Sequence, residues 1–198
     1  MDEEEKIILL KDFDNIKAEL ENHEIMRDKL IKMSRDVITT SKKIIYSIHR
    51  QDENALPTHV SNIKNLYNAM LDIISEDPKL YFEGSYKMAC QEYVEALAYH
   101  GFINGNFPTA LDLNVSSEFY LMGLCDLGGE LVRNAINAGL RENYEQVRMI
   151  WNFVDQLYYE LMLFDFPNSE LRKKFDGLKW DLKKLDEIML SLKLNKNI

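Results

Sequence analysis

One stretch limits what this chain can become more than any other. From residue 3 to residue 51 apolar side chains recur at helical spacing, and neither glycine nor proline intervenes. The stripe runs Ile7, Leu10, Phe13, Ile16, Leu20, then Leu30, Met33, Val37, Ile44, Ile48. Steps of three and four place these residues on one face of a helix, so the pattern predicts a single very long helix, or two with a break near Asn22 and His23. Roughly 45 to 50 residues of helix extend ~70 Å. That is longer than a 200-residue globule is wide, so part of the helix is expected to pack against something other than its own chain. A homo-oligomer is the natural inference.

The rest of the chain reads the same way. Eight glycines and four prolines are too few to punctuate a strand-rich fold. Pro57, Pro78, Pro108 and Pro167 lie at polar breaks, each ahead of a helical pattern, where proline is tolerated in a first turn. Helices are expected over 57–75, 78–103 (loosened at Gly84), a short piece near 108–113, 117–137 with Gly139 as the stop, 141–164 and 168–193. No strand-like alternation survives. The fold class is therefore all-α: residues 1–198 form a single-domain bundle of about six or seven helices.

Hydrophobic residues make up 46% and charged residues 29%, the balance of an ordinary globular chain rather than a disordered one. The net charge of −9 argues against broad, non-specific coating of duplex nucleic acid, which depends on neutralising phosphates. A local basic groove remains compatible with it. Cys90 and Cys125 sit in apolar helical patterns without CxxC or Cys/His spacing, so they read as buried thiols in a reducing compartment. The opening MDEEEKIILLKDF does not resemble a signal peptide, and no apolar run approaches the ~20 residues of a membrane span. A cytoplasmic protein is expected.

Against this background QEYVEALAYHGF (91–102) poses a problem. Glu92 and Glu95 lie roughly 60° apart on a helix. They share a stripe about 80° wide with Met88, Tyr99 and Phe102, while Tyr86, Cys90, Tyr93 and Leu97 form a second apolar stripe opposite. A helix apolar on two faces is a buried one, and unpaired acids inside it need a proton, a basic partner or a cation. EFYLMGLCDLGGELVRNAI (118–136) repeats the oddity, with Asp126 and Glu130 on one face, flanked by Phe119, Gly123 and Arg133. Gly128 and Gly129 beside them allow another helix to come close.

Two such helices could assemble a cluster of four acids. No histidine stands at Glu-x-x-His spacing, so a di-iron site is disfavoured. An all-oxygen set suits Mg²⁺ or Mn²⁺, ions that activate water in phosphodiester cleavage. The alternative is that Arg35, Lys42 and Arg133 neutralise the acids as ordinary ion pairs.

Four stretches go further: KLIKMSRDVITTSKKIIYSIHR (29–50), QEYVEALAYHGFI (91–103), YLMGLCDLGGELVRNAI (120–136) and LRKKFDGLKWDLKKLDEIMLSLKL (171–194). Together, and in family order, they resemble the translin superfamily, which comprises translin and its partner, translin-associated factor X. The first three look like the associated factor and the last is more similar to translin. A chain combining both resembles the stand-alone prokaryotic type, particularly the archaeal one.

The resemblance implies an all-α subunit of a hollow octamer in which factor-X-like subunits cleave single-stranded RNA with Mg²⁺ (or Mn²⁺). Its acidic residues fall on Glu92, Glu95, Asp126 and Glu130, as metal ligands and catalytic groups. Arg35, Lys42, Lys43, Arg50 and Arg133 are the candidate phosphate contacts. His49 and His100 are expected to be structural. Translin's basic RNA-binding stretch would fall near YFEGSYK (81–87), which here has one lysine and one glutamate, a departure from the translin mode of binding. The competing expectations are a non-catalytic oligomer that binds single-stranded RNA or DNA, and a helical scaffold that binds only proteins. DNA stays open as a substrate, since no residue is identifiable as a 2′-hydroxyl reader.

Overall fold

A computed structural model describes residues 3–167 and 169–195, excluding the side chains of residues 3–9. Its order is α1 (Glu3–Arg50), α2 (Leu56–Glu76), a 3₁₀ turn (Pro78–Phe82), α3 (Gly84–Asn104), α4 (Ala110–Leu113), α5 (Ser117–Leu140), α6 (Tyr144–Met162) and α7 (Glu170–Leu194). No strand occurs among the described residues. The all-α bundle with a very long first helix is thus the observed architecture. No helix among the described residues is long and apolar enough to cross a membrane.

Local chemistry sets the breaks. Pro57 and Pro78 stand in the first turns of α2 and the 3₁₀ turn. Side chains of Ser116, Asn143 and Ser169 accept hydrogen bonds from the backbone N–H groups that open α5, α6 and α7, and Thr109 with Asp112 forms a reciprocal cap on α4. Two boundaries differ from the sequence expectation. The segment 78–103 divides at Glu83, the 3₁₀ turn ending before α3 begins. Helix α5 runs through Gly139 and stops only at Arg141, next to Glu142 at φ 61°.

Helix α1 shows no break at Asn22 and His23. Those residues lie where it leaves the body. His23 Nδ1 is 2.5 Å from Asp77 Oδ2, Arg27 Nε donates to Glu83 at 3.0 Å, and Lys79 Nζ reaches Glu19 at 2.7 Å. Beyond this clasp Leu10, Phe13, Ile16 and Leu20 are 45–61% exposed, whereas from Met26 onward the apolar stripe is in the core.

Helix α3 is the central element, packed between α1 and α5, and α5 in turn rests on α6 and α7. Eleven of its residues are buried, which accounts for its lack of a polar face. The approach of α3 to α5 depends on Gly123. A Cβ there would lie 2.6 Å from Val94 Cβ and 2.8 Å from the Gln91 carbonyl oxygen. Gly128 performs the same service for α7, since a Cβ would meet Leu178 Cδ1 at 2.5 Å. Cys90 and Cys125 are both buried and unbridged, and burial pushes each thiol up to about 12.

Candidate metal and nucleic-acid site

Close packing at Gly123 brings the acid-bearing faces of α3 and α5 together. Glu92 and Glu95 stand on a ridge between two cavities. One, of about 380 Å³, is lined by Lys42, Ile45, Tyr46, Glu92, Glu95, Glu130 and Arg133. The other, of about 470 Å³, is lined by the same two glutamates with Asp126, Lys174 and Asp181 among its walls. All four expected acids therefore line two adjoining cavities where α1, α3, α5 and α7 meet, Glu130 in the first and Asp126 in the second.

Their electrostatics are unequal. Burial raises the Glu95 carboxyl to about 8, helped by the charges of Asp126, Glu92 and Glu130. Burial also raises Glu92, with Lys42 opposing it and Asp126 adding to it. Asp126 is raised by burial against the pull of Lys174. Glu130 alone is lowered, chiefly by its hydrogen bond with His49 and further by Arg133.

The ends of the cluster have basic partners and the middle does not. Lys174 Nζ, from α7, donates to Asp126 Oδ1 at 2.7 Å and to Oδ2 at 2.5 Å. His49 Nε2, from α1, is 2.5 Å from Glu130 Oε2, and Arg133 Nη1 is 3.9 Å from the same oxygen. Among the described residues no side chain bonds to Glu92 or Glu95. Of the three expected partners, Arg133 approaches Glu130, Lys42 lines the first cavity without bonding to an acid, and Arg35 does not reach the acids; Lys174 and His49 are the close partners instead.

Does this set fit a divalent ion? Four carboxylates with oxygen donors only, three of them raised by burial and two of those also by the charges of the others, have the chemistry of a hard-cation site. As the side chains stand, no three His, Cys, Asp or Glu groups among the described residues converge closely enough to hold an ion. Asp126 would have to leave Lys174 to join Glu92 and Glu95.

The basic residues separate into two groups. Lys42 and Arg133 line the first cavity. Arg50 lies with its guanidinium carbon 4.4 Å from the ring centroid of Tyr46, which lines that cavity. Arg35 and Lys43 are exposed on α1 and line neither cavity. In the 81–87 stretch, Glu83 is committed to Arg27, and Lys87 sits 5.8 Å over the Phe82 ring.

Four residues here escape a reading of the sequence: His49, Lys174, Tyr46 and Asp181. Each belongs to a helix remote in sequence from the acids, so no spacing rule connects them. His100 is in a different cavity at the far ends of α1 and α3.

The translin family model matches residues 25–196. The chain belongs to the translin family. Among relatives, the uncharacterized protein MJ0175 of Methanocaldococcus jannaschii is 29% identical over 169 residues, 79% of this chain and 72% of that one. Translin-associated protein X of Rattus norvegicus is 23% identical over an alignment of 224 residues, covering 92% of this chain and 77% of that protein. The crystal structure of AfC3PO superposes with a TM-score of 0.85 at 27% identity, over 92% of this chain and 97% of that one. A complex of AfC3PO with duplex RNA gives the same values. Translin of Gallus gallus is 36% identical over 77 residues, 39% of this chain and 34% of that one, so both names in the sequence resemblance recur among the relatives.

Proposed function

We propose that this translin-family chain is a metal-dependent endoribonuclease that cleaves single-stranded RNA within a homo-oligomer, with an octamer as the expected assembly. The observation that carries the proposal is the ridge formed by Glu92 and Glu95, two partly buried acids without a basic partner, with Glu130 lining the cavity on one side and Asp126 the cavity on the other. Anionic carboxylates in such surroundings are costly unless a cation joins them. The likeness to translin-associated protein X over 92% of the chain, and the duplex-RNA complex of AfC3PO, support the coarser part of the reading, an RNA-binding protein.

Glu92, Glu95, Asp126 and Glu130 would hold Mg²⁺ or Mn²⁺ through oxygen atoms alone. When bound, the ion supplies Lewis acidity toward a phosphodiester and a low-pKa water. Glu95, raised chiefly by burial and further by its acidic neighbours, would orient the attacking water and accept its proton. Lys42 and Arg133 bind phosphate oxygens at the mouth of the first cavity, and Arg50 extends that contact. Arg35 and Lys43 meet phosphates farther along the strand. Tyr46, 49% exposed beside the acids, offers a ring on which an unpaired base can stack, which favours a single strand.

A second reading has one observation in its favour. Lys174 and His49 already satisfy Asp126 and Glu130, as they would in a non-catalytic oligomer that binds single-stranded RNA or DNA.

Labelled single-stranded RNA incubated with the protein, with Mg²⁺ or with EDTA, separates the two. The nuclease yields fragments only with the metal, and Glu92→Ala/Glu95→Ala abolishes them while helicity and assembly persist. Full cleavage by that variant, or RNA retained uncut in Mg²⁺ and Mn²⁺, overturns the assignment.

A further inference from the structure

His49 was set aside in the sequence as structural, yet its side chain is only 4% exposed and ends on a carboxylate of the acid cleft. Behind it runs an unbroken line of polar groups. Tyr99 Oη is 3.4 Å from His49 Nδ1, and Asn134 Nδ2 donates to Tyr99 Oη at 2.7 Å. Gln146 Nε2 donates to Asn134 Oδ1 at 2.9 Å, and Asn143 Nδ2 donates to Gln146 Oε1 at 3.0 Å. The line crosses from the α6 N-terminus through α5 and α3 to α1, and returns to α5 at Glu130.

One backbone group sets the direction of the whole line. The Gln146 backbone N–H can only donate, and it donates to Asn143 Oδ1 at 3.2 Å as the cap of α6. That makes the other end of the Asn143 amide a donor, so the facing oxygen of Gln146 accepts and its nitrogen donates onward. The same alternation passes through Asn134 to Tyr99. With its oxygen already accepting from Asn134, the Tyr99 hydroxyl directs its proton at His49 Nδ1. A ring nitrogen that accepts at Nδ1 carries its proton at Nε2, facing Glu130. Burial raises the Tyr99 phenol, so that proton stays in place.

We propose that His49 is a positioning residue for Glu130: the α6 cap, acting through Gln146, Asn134 and Tyr99, holds its imidazole in the Nε2–H tautomer, and that N–H fixes the Glu130 carboxylate as an oriented ligand for a divalent cation. The inference rests on the proposed metal site at Glu130 and not on RNA being the substrate. Groups that orient a ligand in this manner typically contribute 10–100-fold to metal affinity, by an order-of-magnitude estimate. Among the described residues the ring bonds only to Glu130 and Tyr99, and the Arg133 guanidinium approaches Glu130.

The test combines the imidazole nitrogen NMR signals of the metal-free protein with Mn²⁺ binding followed by electron paramagnetic resonance. The wild-type protein is expected to show the Nε2–H tautomer. Asn143→Asp keeps the cap but replaces the donating amide with an acceptor, which reverses the line as far as Tyr99, leaves acceptors facing both His49 nitrogens and shifts the Nδ1 signal. His49→Leu is expected to weaken Mn²⁺ binding ~10–100-fold, and His49→Gln, whose amide N–H can reach Glu130, to recover most of that loss.

An Nδ1–H or doubly protonated wild-type ring, an Asn143→Asp spectrum identical to wild type, or unchanged Mn²⁺ affinity in a folded His49→Leu overturns the proposal. Should His49→Leu fail to fold, Asn143→Asp and His49→Gln still decide it. RNA left uncut by a wild-type protein whose Mn²⁺ binding depends on His49 refutes the nuclease and leaves the positioning role standing. RNA cut by a protein whose Mn²⁺ binding ignores His49 does the reverse. Wild-type protein that binds no Mn²⁺ overturns both.

Discussion

Glu95 concentrates the electrostatic tension of this molecule, and its sign is testable. Its carboxyl is raised from 4.5 to about 8 by burial and by Asp126, Glu92 and Glu130. The folded protein therefore holds a proton there that the unfolded chain releases above about 4.5. The associated stability is fully present below that pH and is lost as pH rises through about 8. In EDTA the protein should lose on the order of 4 kcal/mol between pH 4.5 and 8, by the free energy of a shift this size. Glu95→Gln, neutral throughout, should flatten the curve and be the more stable protein at pH 8. Denaturation midpoints across the range check this, and a wild-type curve that rises toward pH 8 refutes it. Glu130 contributes in another window. Its lowered pKa gives stability present above the ordinary glutamate value and lost only as the pH falls below it.

The pairing of α3 with α5 makes a cleft out of four separate acids, and Gly123 permits it. Any Cβ at that position meets Val94 and, at 2.8 Å, the Gln91 carbonyl. A side chain can rotate away, but the backbone of a central helix cannot. Gly123→Ala should cost about 1–3 kcal/mol, as overpacking of cores does, seen as a lower thermal midpoint. It should also weaken Mn²⁺ binding, because α5 carries Asp126 and Glu130 away from Glu92 and Glu95. A Gly123→Ala protein as stable as wild type would show that this contact does not limit the approach. The sequence pointed instead to Gly128 and Gly129. Gly128 does admit a helix, but that helix is α7, which delivers Leu178 and, one turn earlier, Lys174.

Assembly is the property of the whole molecule that α1 bears most directly on. Its first two dozen residues pass the clasp of His23, Arg27 and Lys79, leaving Leu10, Phe13, Ile16 and Leu20 on a face with no cover from the same chain. Apolar residues repeated at helical spacing on an uncovered face mark a contact surface. With the proposed homo-oligomer, Phe13→Glu/Leu20→Glu should shift the mass in light scattering toward smaller species while the helical content remains. A variant that keeps the wild-type mass would place the subunit contacts elsewhere.

The sequence by itself determined the helices and the four acids. Helical order follows from local repetition: apolar residues at three and four and prolines at polar breaks are read from neighbours in the chain. The acids were legible for a related reason, since Glu92 with Glu95 and Asp126 with Glu130 break an apolar pattern within one or two turns. The family resemblance then joined the pairs. Helix ends at Glu83 and Arg141 were less legible, because a 3₁₀ turn and a glycine inside a helix differ from their alternatives by small energies that packing decides. Only the tertiary structure could bring His49 to Glu130 and Lys174 to Asp126, across 81 and 48 residues of chain. It alone separated Lys42 and Arg133, which reach the cleft, from Arg35 and Lys43, which do not. The physical reason is that a charge acts over a few ångströms of space, and the fold, not the spacing along the chain, sets which charges come that close.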